Sequence, residues 1–191
     1  LNNLLHTLTN MAPDEPRVIA LIKRIITRGR NISNLDSAIN NITSTKNIIA
    51  VFDTLGRTTD GLRNDTFQYG NGFYRLFETI EALDDRKVDN AVKKFVLTTY
   101  AQDQYAHYLP KICEQSLIYL IKKDRMVLKR IMPLKTFLSS VDELVRSMAI
   151  HIDVPTFQLI ESFLLKNNGE WQLNRVVKMA QNQLERMINH P

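Results

Sequence analysis

The sequence predicts an all-α fold, a compact multi-helix bundle of about ten helices, and three observations predict it. Apolar residues recur at spacings of three and four along most of the chain, which is the period of a helix with one buried side. No segment shows the strict apolar–polar alternation of a half-buried strand. The 191 residues include only six glycines and six prolines, which favours long regular elements over a loop-rich chain. We therefore expect one all-α domain over residues 1–191.

Four helices are predicted in the N-terminal part. The first covers about residues 1–10, and the second follows Pro16 and runs to Arg28. Asp14 is the expected N-cap of the second helix, and Gly29 is expected to end it in a left-handed conformation. Two shorter helices follow. The side chains expected inside are Leu1, Leu4, Leu5, Leu8, Val18, Ile19, Ile22, Ile25, Ile26, Leu35, Ala38, Ile39, Ile42, Ile48, Ile49, Phe52 and Leu55.

A long loop is predicted between Gly56 and Gly72, where the periodicity disappears and four of the six glycines lie. Loops of this length in compact domains are often functional. The loop separates a smaller N-terminal lobe, residues 1–55, from a larger helical bundle, residues 73–191. Each part carries enough apolar stripes for a core of its own, so a two-lobe arrangement is the alternative to a single body.

The part of the chain after residue 72 is more strongly helical. Aspartates are expected to cap several of its helices: Asp84 or Asp85, then Asp124, then Asp153. The apolar stripes carry Phe73, Leu76, Phe77, Ile80, Leu83, Val88, Ala91, Val92, Phe95, Val96, Ile112, Leu117, Leu120, Ile121, Phe137, Leu138, Val141, Leu144, Val145, Met148, Ile152, Phe157, Ile160, Phe163, Leu164, Leu173, Val176, Val177, Ala180, Leu184, Met187 and Ile188.

No motif in the sequence carries chemistry. Phosphate-binding glycine loops, the nucleophile elbow and the paired histidines of zinc proteases are missing, and the four histidines have no metal-ligand spacing. The single cysteine, Cys113, excludes an intramolecular disulfide and is expected in the core. No apolar run is long enough to span a bilayer. We therefore predict a protein that is not an enzyme, with no catalytic residue, no cofactor, no metal and no transmembrane segment.

Two clusters of basic residues stand out against a net charge of +5. The segment from residue 17 to residue 30 contains no acidic residue, and the segment from residue 122 to residue 135 contains one, Asp124. Each cluster is either the solvated face of a helix or a binding surface for an acidic protein, a membrane or nucleic acid. The candidate binding residues are Arg17, Lys23, Arg24, Arg28 and Arg30 in the first, and Lys122, Lys123, Arg125, Lys129 and Arg130 in the second.

Three aromatic residues are candidate interface anchors. Tyr105 and Tyr108 lie three residues apart before Pro110, and Trp171 begins the last helix. Tyrosine and tryptophan are enriched where proteins contact one another, although half-buried core tyrosines fit the same pattern. The last helix packs either within the bundle or against a second copy of the chain, and a homodimer is the oligomer we favour.

Residues 11–36 read MAPDEPRVIALIKRIITRGRNISNLD. This stretch resembles the conserved region of the baculovirus structural glycoprotein of the virion tegument, and the Asn- and Ile-rich texture also looks like that of a large insect DNA virus. The resemblance covers most of the chain, but it includes no catalytic or ligand-binding motif. No site residue is carried over from it.

The resemblance implies a structural role. Members of that family lie between nucleocapsid and envelope, carry O-linked N-acetylglucosamine and are needed for nucleocapsids to leave the nucleus. The resulting hypothesis is a non-enzymatic tegument protein that self-associates and bridges other virion proteins, located in the virion and in the nucleus and cytoplasm of the host cell. The alternative hypothesis, which we favour less, is a nucleic-acid-binding accessory protein that uses the basic helix edges.

Overall fold

The computed structural model confirms the all-α prediction. It describes residues 2–30, 34–58, 62, 67, 72–102, 109–148, 153–167 and 169–189, and among them it has helices and no strand. A 3₁₀ turn covers Arg125–Val127. The α-helices are α1 (Asn2–Met11), α2 (Pro16–Thr27), α3 (Leu35–Asn40), α4 (Thr45–Arg57), α5 (Tyr74–Leu83), α6 (Arg86–Tyr100), α7 (Lys111–Lys123), α8 (Leu128–Ile131), α9 (Lys135–Met148), α10 (Val154–Lys166) and α11 (Glu170–Asn189).

The chain forms two compact units. The first comprises Leu1–Thr99 and Leu109–Leu120, and the second comprises Tyr100–Tyr108 and Ile121–Pro191. These boundaries differ from the predicted lobes, residues 1–55 and 73–191, because helices on both sides of the predicted loop share the core of the first unit. Periodicity identifies the buried face of each helix, but it carries no information about which helices bury those faces together.

Aromatic packing shows this shared core directly. Phe52 on α4 contacts Phe77 on α5 and Phe95 on α6, with ring centroids 6.5 and 5.6 Å apart. Phe77 in turn contacts Tyr119 on α7 at 5.7 Å. Tilted ring pairs at these distances add stability beyond the area they bury.

Helix α2 follows the predicted pattern closely. Its buried side chains are the five predicted from the spacing, namely Val18, Ile19, Ile22, Ile25 and Ile26. Pro16 occupies the first turn, where its missing N–H costs nothing. Gly29 follows the C-cap with φ 58°, the left-handed conformation that favours glycine. α2 packs mainly on α4.

The predicted N-cap of α2 is wrong. Glu15 occupies that position and makes no side-chain cap hydrogen bond. Asp14 is turned instead toward the start of α4, where its carboxylate accepts hydrogen bonds from Thr43, Ser44 and Asn47. Asp14 therefore links the chain just before α2 to the start of α4, about thirty residues later in the sequence.

Two residues of the predicted loop, Leu62 and Phe67, are buried, and Phe67 stacks on Phe73 with ring centroids 6.0 Å apart. Two buried or half-buried amides hold the chain where the loop ends. Asn40 donates to the Gly72 carbonyl and accepts from the Leu76 N–H, and the Gln115 side chain accepts from the Phe73 N–H. The other residues between 59 and 71 lie outside the described residues.

The second unit has its own core. The Phe137 ring on α9 contacts Tyr100 at 6.4 Å and Phe163 on α10 at 5.5 Å, the latter edge to face. The predicted caps at Asp124 and Asp153 are confirmed, because each carboxylate accepts from a backbone N–H of the following turn, that of Met126 or Thr156. α11 packs against both α9 and α10.

Candidate binding surfaces

The basic face of α2 lies on the first unit. Arg17, Arg24 and Arg28 are exposed, and Lys23 is half-buried. At about 100° per residue, the three arginines fall within about 40° of one another and about 120–160° around the helix from the buried Ile22. The burial of the aliphatic stripe therefore turns these arginines toward solvent, and we call them the arginine row. Arg30, just beyond the helix, is also exposed.

The cations of α2 are unpaired within the described part of the chain. The side chains of Arg17, Lys23, Arg24 and Arg28 form no hydrogen bond or ion pair with the described residues, in contrast to those of Lys94, Lys111 and Arg125. A face of this kind attracts anions, because no neighbouring carboxylate has to be displaced first.

The second basic cluster lies on the second unit, and its surroundings differ. Lys122, Lys123, Arg125, Lys129 and Arg130 are all exposed. The Arg125 guanidinium is 3.3 Å from the Asp153 carboxylate. Lys122 and Lys123 occupy the last turn of α7, where positive charge favours the helix dipole, so a structural role accounts for them. Lys129 and Arg130 extend from the short helix α8.

Asp14 fixes the approach to α2 by holding residues 43–47. Its carboxylate oxygens lie 3.1 Å from the Thr43 N–H nitrogen, 2.6 Å from the Thr43 hydroxyl, 3.1 Å from the Ser44 N–H nitrogen and 2.9 Å from the Asn47 amide. Burial raises the pKa of Asp14, but the hydrogen bonds from Thr43, Asn47 and Ser44 outweigh burial, so the pKa is lowered overall.

We expect Asp14→Ala to lower the free energy of unfolding by about 1–2 kcal/mol at neutral pH, since several donors lose a charged acceptor. Because the pKa of Asp14 is below its ordinary 3.8 in the folded chain, its contribution is complete above that value. The contribution is lost as pH falls through the lowered pKa. Urea unfolding of both proteins over a pH series measures this difference.

A matched control for Asp14 is Asp36→Ala. The Asp36 carboxylate accepts a hydrogen bond from the neighbouring Ser37 N–H within α3, so its loss removes a local contact and no link between distant segments. We expect a smaller loss of stability from this change. A difference between wild type and Asp14→Ala that stays constant down to strongly acidic pH would contradict the role given to the Asp14 carboxylate.

Of the three predicted aromatic anchors, the structure describes Trp171. Tyr105 and Tyr108 lie outside the described residues. Trp171 is 63% exposed, and the Arg175 guanidinium stacks on its ring at 4.6 Å from the centroid. Val154 and Leu165 on the adjoining helix α10 are 69% and 58% exposed. We call Val154, Leu165 and Trp171 the exposed apolar residues of α10 and α11.

Cys113 lies in the core, as expected from the sequence, with no exposed surface. Burial raises the pKa of its thiol strongly, and the charge of the neighbouring Glu114 raises it further, against a hydrogen bond with Thr99. A thiol in this environment stays protonated and unreactive.

The described residues hold no group of three or more His, Cys, Asp or Glu side chains placed to bind a metal ion. Among the described helices, none combines the length and the apolar character that a bilayer crossing requires. Comparison with protein-family models, with curated proteins and with solved structures finds no match to this chain.

Proposed function

We propose that the chain is a non-enzymatic structural protein of the virion tegument, of the kind that the resemblance at residues 11–36 implies. It self-associates, with a homodimer as the favoured form, and bridges nucleocapsid and envelope components. In this role it supports nucleocapsid egress and virion assembly, and it is present in the nucleus and cytoplasm of the host cell.

The use of the buried polar side chains supports a structural role. Thr9, Thr54, Thr99, Ser116 and Ser140 each donate a hydroxyl hydrogen bond to the backbone carbonyl four residues earlier. Side chains used in this way bond to the backbone carbonyls of their own helix. The interior polar groups thus serve helix packing.

The observation that carries the proposal is the exposure of large apolar side chains on α10 and α11. Val154, Leu165 and Trp171 each leave more than half of their surface in water. α10 carries apolar residues around most of its circumference, with Thr156, Ile160 and Leu164 as its buried stripe. A helix with so much apolar surface outside the core gains free energy when a partner covers it.

We expect the protein to self-associate reversibly and the variant Leu165→Ser/Trp171→Ser to weaken this association. Interface aromatics and their neighbours contribute about 1 kcal/mol or more each, so the dissociation constant should rise at least about 30-fold for the pair. Sedimentation equilibrium over a range of protein concentrations measures both constants.

The control is Met11→Ser/Tyr74→Ser, which removes two apolar side chains that are 80% and 67% exposed on the first unit. This variant should keep the wild-type dissociation constant. A wild-type chain that is monomeric at every concentration would contradict self-association. The tegument location is tested separately with purified virions, where the chain should resist protease until detergent removes the envelope.

A second candidate function is that of a nucleic-acid-binding accessory protein. The unpaired cations of α2 favour it, because exposed arginines without acidic partners are the electrostatic footprint of phosphate binding. Binding of a labelled oligonucleotide at low salt tests this candidate, and no detectable binding would remove it.

A further inference from the structure

We propose that the arginine row of α2, formed by Arg17, Arg24 and Arg28, is a binding surface for the phosphate backbone of double-stranded nucleic acid and binds it without sequence preference. This inference rests on the second candidate function and is independent of self-association. It assigns the binding to one of the two basic clusters and to one class of ligand.

The shape of the row suits a linear polyanion. Arg17 lies in the first turn of α2 and Arg28 is its C-cap residue, eleven positions later, which separates their Cα atoms by about 16 Å along the helix axis. A duplex carries one negative charge per ~1.7 Å of its axis, so the row can face several phosphates at once. Guanidinium groups also match phosphate oxygens with two parallel hydrogen bonds, which an ammonium group cannot do.

The charge environment of the row is favourable. α2 contains no acid, and the three arginines form no ion pair with other described residues. The nearest acids along the chain are Asp14 and Glu15. Asp14 is hydrogen-bonded to Thr43, Ser44 and Asn47 and keeps its negative charge, and Glu15 is exposed, so both acids lie beside Arg17, while Arg24 and Arg28 have no acid close to them along the chain.

The side chains between the arginines favour a duplex over other anions. Ala20 and Thr27 are the exposed residues within the row, both small, and α2 contains no aromatic residue. Single-strand binders stack bases on aromatic side chains, and protein interfaces depend on large apolar anchors. The arginine row offers positive charge without aromatic side chains for stacking and without large apolar anchors. It therefore favours contact with the phosphate backbone of a regular duplex.

The row stands on a rigid support. Five buried aliphatic residues fix α2 on the core, mainly against α4. Asp14 holds the chain just before α2 to the start of α4, and Gly29 ends the helix sharply. The backbone positions of the arginines are therefore set before any ligand arrives, so binding costs little beyond the ordering of the side chains.

The second basic cluster provides the matched control. Arg125 is paired with Asp153, and Lys122 and Lys123 lie in the last turn of α7. Lys129 and Arg130 remain as two exposed cations four and five residues after Arg125. Replacing them changes the net charge by the same amount as replacing Arg24 and Arg28, so a purely nonspecific charge effect would be equal in the two variants.

The experiment measures binding of a short, labelled, mixed-sequence DNA duplex by fluorescence anisotropy at several salt concentrations. With three phosphate contacts, the wild-type affinity should fall about 40-fold between ~50 and ~200 mM salt. For Arg24→Gln/Arg28→Gln the fall should be about 3-fold, and binding at low salt should be weaker. Lys129→Gln/Arg130→Gln should keep the wild-type salt dependence. Arg24→Lys/Arg28→Lys should bind with an affinity between those of the wild type and Arg24→Gln/Arg28→Gln.

Several outcomes would overturn the inference. If the wild type binds the duplex but the Lys129 and Arg130 variant loses the salt dependence in place of the α2 variant, nucleic-acid binding stands and the assignment to α2 fails. If the wild type does not bind at low salt, both fail. Tighter binding to a single strand of the same length would show that the ligand is single-stranded nucleic acid. Tighter binding to poly-glutamate would show that the ligand is an acidic protein. Circular dichroism of each variant checks that the helical content of the chain is retained.

Discussion

Phe52→Ala should lower the free energy of unfolding by about 3–5 kcal/mol, the largest effect we expect from one substitution in this chain. Phe52 is 1% exposed and lies between the rings of Phe77 and Phe95. Truncation removes the buried ring and leaves a cavity among three helices that cannot close around it completely. Urea unfolding followed by circular dichroism gives the difference.

The control for Phe52 is Phe157→Ala on α10, where the ring is half-buried. We expect that change to cost less, because water already reaches part of the ring and no closed cavity forms. A loss below about 1 kcal/mol for Phe52→Ala would contradict the shared core of α4, α5 and α6.

Lys111→Met should lower the free energy of unfolding by about 2–3 kcal/mol. The Glu114 side chain is 3% exposed, and its carboxylate lies 2.9 Å from the Lys111 ammonium group, which is 28% exposed. Removing the cation leaves a buried carboxylate without its charge partner. Because the lysine is partly exposed, water offsets some of the cost, and the expected loss stays below that of a fully buried pair.

Two further variants make the Lys111 result interpretable. Lys94→Met removes a cation that is 71% exposed and 4.0 Å from Asp53, and exposed pairs of this kind contribute at most about 1 kcal/mol. The double variant Lys111→Met/Glu114→Leu removes both charges and should recover much of the stability lost in the single variant. Equal losses from Lys111→Met and Lys94→Met would show that the burial of Glu114 does not matter.

Local rules predicted the parts of the fold that depend on neighbours along the chain. The five buried residues of α2 follow from their spacing, and Gly29, Asp124 and Asp153 end or begin helices where expected. Periodicity and capping depend on residues within one turn, which the sequence displays directly.

Features that depend on distant residues were not predictable in this way. Asp14 binds residues about thirty positions away, and Gln115 reaches the Phe73 backbone over forty-two positions. A polar side chain with local turn or cap character carries no mark of a remote partner. Leu62 and Phe67 are similar, since two apolar residues in a glycine-rich stretch lack the repeat that indicates a buried helix face.

The candidate surfaces also combine features that follow from local spacing with features that depend on tertiary packing. The arginine row could be predicted as a helix edge from spacing alone, because burial of the aliphatic stripe turns it toward solvent. Whether a cation already has a partner depends on tertiary packing, and this separates Arg24 from Arg125. The exposed Val154 and Leu165 also required the fold, because the sequence shows that α10 is apolar but not how little of it the core covers.

The sealed position of the one sulfhydryl group has a practical consequence for labelling. Because Cys113 is fully enclosed and holds its proton, maleimide dyes should not react with the native protein at that position. A cysteine introduced at the exposed Ala20 would then be the sole site of conjugation. A fluorophore placed there sits between Arg17 and Arg24 and would report ligand arrival at that helix without any change to the native thiol.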